Sequence, residues 1–188
     1  GLCARMQESD GQLGPELRFE LNRPRGVSLY NLDGLPGQEI LAIDRITGRV
    51  KVSQLRPPEE KPGELPGSLI QYGLGEAGSG TNRDLAVGDV DGDGLTDVVV
   101  TDPTTAQMLV FRQRPHRGLD AGSTYPGMLG TSHVRLADLD DDPALEVVML
   151  SGDEKTLAIS NFVDGRLSFP VALETAPGRE PVAGRSRC

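Results

Sequence analysis

The stretch Asp89-Val-Asp-Gly-Asp-Gly-Leu-Thr-Asp97 decides how the rest of this 188-residue chain is interpreted. Its nine positions carry aspartates at positions 1, 3, 5 and 9 and glycines at positions 4 and 6. Hard oxygen ligands on a flexible turn are what Ca²⁺ requires. Apolar residues typical of β-strands lie on both sides, at 85–87 and 98–100. The sequence therefore predicts a calcium-binding turn between two strands.

The odd positions of this loop are expected to face the ion. The predicted ligands are Asp89, Asp91, Asp93, the backbone carbonyl of Leu95, and Asp97. Gly92 and Gly94 permit the sharp turn, and we expect positive φ at Gly94. Val90 is expected to face the other way, into the packing of the sheet. Without a cation, four carboxylates this close together would repel one another.

Two other interpretations of this stretch compete with a calcium site. An EF-hand begins with a similar string, but it needs a bidentate acid at position 12 and a helix on each side. Position 12 is Val100, inside a β-branched run, so the EF-hand interpretation fails. A solvated acidic turn without an ion is the other alternative, and the complete ligand spacing favours Ca²⁺ over it.

Two further segments align with this loop without gaps, at 31–39 and 138–146. Each has an aliphatic residue at position 2 and acids at positions 3 and 9. An apolar run follows each loop, and a second strand-like segment follows after a turn. A recurring unit of this length is typical of repeat architectures.

The three loops differ in their predicted ability to bind metal. The third loop offers a weaker second site, with ligands Asp138, Asp140, Asp142, the carbonyl of Ala144, and Glu146. There Pro143 replaces the second glycine, and proline cannot adopt a positive φ. The first loop has Asn31, Asp33 and Glu39 but Leu35 at the central ligand position, so it is expected to be ion-free.

The expected fold is all-β, because each unit shows short strands and the 24 glycines and 14 prolines argue against long helices. We expect about three four-stranded antiparallel sheets. A single sheet cannot bury both of its faces, and radial packing into a β-propeller solves this. Closed propellers have about four to eight blades. The remaining blades are therefore expected from missing sequence or from another chain.

The segment 84–111 resembles the FG-GAP/VCBS family of propeller repeats, which also occurs in the blades of integrin α subunits. The resemblance is carried by a strand, the D-x-D-G-D-G-x-x-D loop, a strand ending in an acid, and another strand. Residues 27–54 and 133–162 resemble the family more weakly. The Phe-Gly and Gly-Ala-Pro signatures are missing, so the VCBS-like form is the closer match. The resemblance implies calcium-binding blade loops and surface adhesion, or recognition of a protein or glycan.

The predicted boundaries divide the chain into five parts. They are a leading segment 1–16, blades at 17–67, 68–125 and 126–173, and a tail 174–188 rich in Pro, Gly and Arg. Within the first blade, 17–21 is predicted as a strand and 22–26 as a turn. Residues 112–131 are predicted as an irregular connection. Asp164-Gly165 predicts a hairpin turn before a fourth strand at 167–173.

Composition and motifs exclude several other classes of protein. The net charge of −9 lies in the second and third loops with no basic stripe to compensate, which disfavours a nucleic-acid partner. The sequence contains no run of 18 apolar residues, so no membrane span is predicted. The G-x-G-x-x-G match at 73–78 is followed by poor helix material and is expected to be a flexible loop. Cys3 and Cys188 leave a disulfide open.

No catalytic arrangement is evident in the sequence. His116 and His133 have no partner pattern, and the acids lie at metal-ligand spacing, unlike a glycosidase pair with one raised pKa. We expect a non-catalytic, calcium-binding scaffold. No signal peptide is visible, and a start at Gly1 indicates a processed chain or a fragment. An extracytoplasmic location is expected, because weak carboxylate sites fill where Ca²⁺ is millimolar. An accessory propeller domain of a larger secreted enzyme is the alternative.

Overall fold

The computed structural model describes residues 2–5, 7–19, 24–32, 34, 37–56, 68–74, 82–115 and 118–174. These residues form eighteen β-strands and contain no helix, so the all-β prediction is confirmed for them. The strands form three four-stranded antiparallel sheets and three two-stranded ones. A helix long and apolar enough to cross a membrane does not occur in the described part of the chain.

The N-terminal part forms a small sheet of its own. Strand β1 (Leu2–Ala4) pairs antiparallel with β2 (Leu17–Phe19), with Cys3 opposite Arg18. The strand predicted at 17–21 is confirmed for 17–19, and residues 20–21 lie outside the described residues. It pairs with a strand inside the leading segment and not with the first four-stranded sheet. Strand β1 was not predicted because its three residues are too few to show a polar-apolar alternation. Its pairing with β2 depends on main-chain hydrogen bonds, which the sequence does not reveal.

The first four-stranded sheet contains β3 (Pro24–Tyr30), β4 (Glu39–Asp44), β5 (Val50–Arg56) and β6 (Ser68–Leu74), paired in that order. The apolar run expected after the first acidic loop lies in β4, and the strand-like segment expected after the next turn lies in β5. Strand β3 starts earlier than predicted, within the expected turn at 22–26. A register shift between Arg25 and Ser28 and a φ of 62° at Gly26 place a bulge there, so turn-forming residues sit within a strand.

The predicted boundary between the first and second blades, at 67/68, is wrong. Strand β6 pairs with β5 along its whole length, from Arg56 opposite Ser68 to Val50 opposite Leu74. The stretch 57–67 is rich in Pro, Gly and charge, a composition equally typical of a boundary and of a loop within one sheet. That stretch lies outside the described residues, whereas the strands before and after it belong to the same sheet.

The second sheet contains β7 (Leu85–Gly88), β8 (Asp97–Asp102) and β9 (Gln107–Phe111), as predicted. A hairpin of β10 (Gln113–Arg114) and β11 (Gly118–Leu119) follows, and β12 (Ser123–Pro126) then returns beside β9. The irregular connection predicted at 112–131 therefore contains three strands.

Strand β12 escaped prediction because its sequence lacks alternation and its place is set by close packing against β9. A Cβ atom on Gly122 would lie 2.6 Å from Cε1 of Phe111, so the chain can approach the Phe111 ring only with glycine at this position.

The third sheet pairs β13 (Thr131–Ala137), β14 (Glu146–Ser151), β15 (Thr156–Ser160) and β18 (Val171–Ala172). Between β15 and β18 lies the hairpin of β16 (Phe162–Val163) and β17 (Arg166–Leu167). Asp164 and Gly165 have φ of 50° and 79°, so the hairpin turn predicted there is confirmed. The strand predicted at 167–173 is divided, with its first residue in the hairpin and β18 in the sheet.

Two apolar cores join the three sheets in chain order. The core between the first and second sheets contains Leu32, Leu41, Ile43, Val50, Val52, Leu85, Val98, Val100 and Phe111. The core between the second and third sheets contains Ala86, Val90, Val99, Met108, Val110, Met128, Val134, Val147, Met149, Ala158 and Leu167. Strand β8 contributes to both, with Val98 and Val100 on one face and Val99 on the other. Burial on both faces explains its uninterrupted valine run.

Candidate metal centre

The three acidic loops are built alike, although their sequences differ. In each loop the acid at position 9 accepts a hydrogen bond from the N–H of position 2. These bonds are Leu32 N to Glu39 Oε2 at 2.7 Å, Val90 N to Asp97 Oδ2 at 3.1 Å, and Leu139 N to Glu146 Oε2 at 2.7 Å. The side chain at position 1 accepts from the N–H of position 4. These bonds are Gly34 N to Asn31 Oδ1 at 2.7 Å, Gly92 N to Asp89 Oδ1 at 2.8 Å, and Asp141 N to Asp138 Oδ1 at 2.8 Å.

Position 4 has a positive φ in every loop. The value is 74° at Gly34, 74° at Gly92 and 61° at Asp141. Aspartate tolerates this region better than most other residues do, so the third loop makes the same turn without glycine. The expected positive φ at Gly94 is confirmed at 80°, and the third loop has Pro143 at this position. The middle and third loops therefore share the hydrogen bond from position 4 to position 1 and the positive φ at position 4, and they differ in the residue at position 6.

The middle loop brings three of its predicted ligands together. One carboxylate oxygen from each of Asp89, Asp91 and Asp97 lies within 4.8 Å of the other two. The side chain of Asp91 is 10% exposed, and its Oδ1 is buried without a hydrogen-bond partner. A buried carboxylate oxygen without a partner is costly. The position of the Asp91 carboxylate beside two other carboxylates fits the oxygen-donor set that Ca²⁺ prefers.

Asp97 is the most enclosed member of this group, with no exposed surface. The pKa of Asp97 is raised to about 6, chiefly by burial and also by the charges of Asp91 and Asp93. Hydrogen bonds from the N–H groups of Gln113 and Val90 act in the opposite direction and lower the pKa. The carboxyl group is therefore held where its own charge is disfavoured. A cation at this position would reverse that preference, because it favours the ionised form.

Asp93 lies outside the group of converging carboxylate oxygens. Asp93 is exposed, and its Oδ1 accepts a hydrogen bond of 2.9 Å from Leu95 N. Asp89 is held by the loop backbone, with Oδ1 accepting from Gly92 N and Oδ2 accepting from Gly94 N at 2.7 Å. The roles of Asp93 and of the Leu95 carbonyl as ligands stay predictions.

The third loop repeats the cluster in a more solvated form. Oxygens of Asp138, Asp140 and Glu146 lie within 4.8 Å of one another, and both aspartates are exposed. Asp142 lies outside this group, and its Oδ1 accepts from Ala144 N at 2.8 Å. Ligation by Asp142 and by the Ala144 carbonyl stays a prediction. This loop has the donors for a second ion but lacks the buried unpaired oxygen that distinguishes the middle loop.

Other candidate residues add no further centre to these two clusters within the described part of the chain. Asp33 and Leu35 lie outside it, so the ion-free first loop stays a prediction. His116 and Cys188 also lie outside it, as do residues 75–78 of the glycine-rich match and residues 175–188 of the tail. His133 is half-buried beside the Ser132 hydroxyl, at 3.1 Å. Cys3 is exposed and free.

Two residues around the middle loop were missed by sequence reasoning. The N–H of Gln113 donates to Asp97 Oδ1 at 2.9 Å, and its buried side-chain Oε1 accepts from Thr96 N at 2.7 Å. Arg112 Nη1 lies 3.4 Å from Asp91 Oδ2. In the pairing of β8 with β9, Val98 lies opposite Phe111, so the residues that directly follow β9 lie beside the acidic loop that precedes Val98. Knowing that register would have identified both residues.

The described residues form three four-stranded antiparallel sheets, and an acidic loop of the same construction occurs in each. The chain is therefore an all-β repeat protein. Residues 89–149 match the model of the FG-GAP-like repeat, so the family predicted from the sequence is confirmed for this segment. The VCBS-like variant stays a prediction.

Among solved structures, a chain of the Photorhabdus luminescens Tc holotoxin pore is similar, with a TM-score of 0.49 and 19% sequence identity. The match covers 93% of this chain but only 8% of that chain. No curated protein matches the chain.

Proposed function

We propose that this chain is a non-catalytic scaffold of the β-propeller type, stabilised by Ca²⁺ and used extracytoplasmically to bind a protein or a glycan. Each four-stranded sheet would be one blade, at 24–74, 85–126 and 131–172. The observation that carries the metal assignment is the carboxylate of Asp91, which converges with those of Asp89 and Asp97 and has a buried, unpaired Oδ1. The location rests on the chemistry of carboxylate sites, which fill where Ca²⁺ is abundant.

The ion would act structurally within the second blade. Asp89 and Asp91 lie in the loop after β7, and Asp97 is the first residue of β8. Bound Ca²⁺ would offset two of the three negative charges of these carboxylates. The side chains of Asp89 and Asp97 already fix the loop backbone, through bonds to Gly92 N, Gly94 N and Val90 N. The loop is therefore largely preorganised for the ion, which lowers the ordering cost of binding.

The exposure of the position-2 residues supports a stack that continues beyond the third sheet. Leu32 is 1% exposed in the core between sheets one and two, and Val90 is 0% exposed in the core between sheets two and three. The burial predicted for Val90 is thus confirmed. The equivalent Leu139 is 53% exposed. The position-2 residue is therefore buried in the core beside the next sheet in the first two cases, whereas Leu139 has no core to enter among the residues that the structure describes.

The face of the third sheet that points away from the second sheet is also apolar. Cross-strand pairing places Val148 opposite Ile159, and Ile159 opposite Val171, on this face. Phe169, at 77% exposed, and Val171, at 66% exposed, are two residues apart in the chain. Exposed apolar area of this kind marks an interaction surface. A further four-stranded sheet, from more sequence or from another chain, is the partner that we propose for it.

A pair of matched substitutions tests this view of the stack. Val90→Ala is expected to lower the free energy of unfolding by about 2 kcal/mol, because a fully buried side chain loses its packing. Leu139→Ala is expected to change it by less than about 0.5 kcal/mol, as for an exposed residue. Urea unfolding of both variants measures the difference. A large loss for Leu139→Ala would show that its side chain is already packed and would contradict the proposed open face.

Isothermal titration calorimetry with CaCl₂ tests the metal assignment directly. We expect a saturable heat of binding that disappears in Asp91→Asn. If the wild-type chain gives no heat and no change in stability with Ca²⁺, the proposed function is wrong.

A further inference from the structure

Arg112 places a positive charge against the proposed calcium loop. Its Nη1 lies 3.4 Å from Asp91 Oδ2, whereas Asp91 Oδ1 is the buried oxygen without a partner. The two oxygens of one carboxylate are thus used differently. One oxygen faces the guanidinium group and the other is buried without a partner, while the Asp91 carboxylate also converges with those of Asp89 and Asp97.

The position of Arg112 is supported from two sides. Its guanidinium carbon lies 5.9 Å from the centre of the Phe162 ring, on the hairpin of the third sheet. Its backbone carbonyl accepts a hydrogen bond of 2.8 Å from Asp120 N. The side chain is 28% exposed, so its charge is only partly screened by water. These contacts hold the guanidinium group close to the acidic loop.

We propose that Arg112 is a built-in countercation that stabilises the ion-free loop and weakens its affinity for Ca²⁺. The inference rests on the proposed calcium site. Without an ion, the guanidinium group offsets part of the repulsion among the aspartates. With an ion, two cations share one carboxylate and repel each other. The same side chain therefore favours the empty loop over the filled one, and it sets the calcium concentration at which the loop fills.

The chain supplies its own neutral reference for this position. Arg112 directly follows Phe111, which lies opposite Val98 in the second sheet. In the first sheet the equivalent residue is Gln54, which follows Ser53, the partner of Ile40. In the third sheet it is Asn161, which follows Ser160, the partner of Val147. The charge at this position is thus confined to the sheet whose loop has the complete ligand set. Arg112→Gln introduces the side chain that the first sheet carries.

Calcium titration of the wild type, Arg112→Gln and Arg112→Lys tests the inference. Arg112→Gln is expected to bind Ca²⁺ roughly three- to tenfold more tightly and to melt at a lower temperature in chelator. Arg112→Lys keeps the charge and is expected to stay near the wild-type affinity. Arg45→Gln, in an exposed turn after β4, controls for the loss of one positive charge from the surface.

Each outcome separates this inference from the proposed function. Weaker or unchanged binding by Arg112→Gln, in a wild-type protein that binds Ca²⁺, overturns the countercation and leaves the calcium site standing. Binding by Arg112→Gln alone supports the countercation and contradicts calcium binding by the wild type. Absence of binding in both proteins overturns both. If Arg112→Gln unfolds in chelator, the calcium dependence of its melting temperature gives the affinity.

Discussion

Ca²⁺ is expected to raise the free energy of unfolding by about 2.7 kcal/mol when the free ion exceeds the Kd 100-fold. For a chain of this length the melting temperature should rise by about 5–10 °C. The physical reason is that the ion binds the folded loop, where Asp89, Asp91 and Asp97 converge, and does not find these oxygens together in the unfolded chain. Differential scanning calorimetry in calcium and in chelator measures the shift.

The variant Asp91→Asn should abolish this shift with little loss of stability in chelator. The amide keeps the side-chain volume and removes one of the mutually repelling charges, which offsets the weakened contact between Asp91 and Arg112 in the ion-free protein. Asp164→Asn is the matched control, because it removes an exposed charge in a hairpin turn where asparagine tolerates the φ of 50°. The control should keep the full calcium shift. A full shift in Asp91→Asn would refute the assignment of this oxygen as a ligand.

Asp102→Ser is expected to lower the free energy of unfolding by about 3–5 kcal/mol at neutral pH, by leaving a buried arginine without its partner. Arg83 Nη2 lies 2.6 Å from Asp102 Oδ2, and the two side chains are only 6% and 10% exposed. Serine is the matched replacement, because Ser151 ends β14 as Asp102 ends β8. Ser151 Oγ accepts from Glu154 N, and Asp102 Oδ1 similarly accepts from Thr104 N. The turn is therefore preserved while the ion pair is lost.

The pH dependence of stability identifies the ion pair as the cause. Burial alone would raise the pKa of Asp102, but the hydrogen bond and charge of Arg83 hold it below its ordinary value. A lowered pKa in the folded state means that the stabilisation is present above the ordinary aspartate pKa. It is lost as the pH falls through the folded value. Chemical unfolding from pH 7 down to about pH 2 should show this loss, beginning near the ordinary aspartate pKa, in the wild type and a smaller one in Asp102→Ser.

A second substitution checks that the loss comes from the unpaired arginine. Arg83→Met in the Asp102→Ser background should recover part of the stability, because the buried charge is removed as well. A double variant as unstable as the sum of both single variants would show that the two side chains do not act as a pair.

The acidic loop and its flanking strands were predictable because they depend on residues close together in the chain. The spacing of Asp89, Asp91 and Asp97 is local, and the hydrogen bond from Gly92 N to Asp89 Oδ1 closes within four residues. The valines of β8 reveal its burial by composition alone. Local patterns therefore predicted the strands and the turn between them.

The remaining features depend on the pairing of strands distant in sequence. Strand β6 belongs to the first sheet because it pairs with β5, and its composition contains nothing that selects the earlier sheet over the later one. Arg112 and Gln113 reach the loop because β9 returns beside β8. The different burial of Val90 and Leu139 follows from whether a sheet packs on that face. None of these relations is present in a single short stretch.

The burial of β8 on both faces has a consequence for how the chain unfolds. Val98 and Val99 belong to different cores, so separating the second sheet from either neighbour exposes part of the same strand. The sheets are therefore energetically coupled and should unfold together, in one cooperative transition. An ion bound at the first residue of β8 would then stabilise all three sheets, including the two whose own loops have fewer or more solvated predicted ligands.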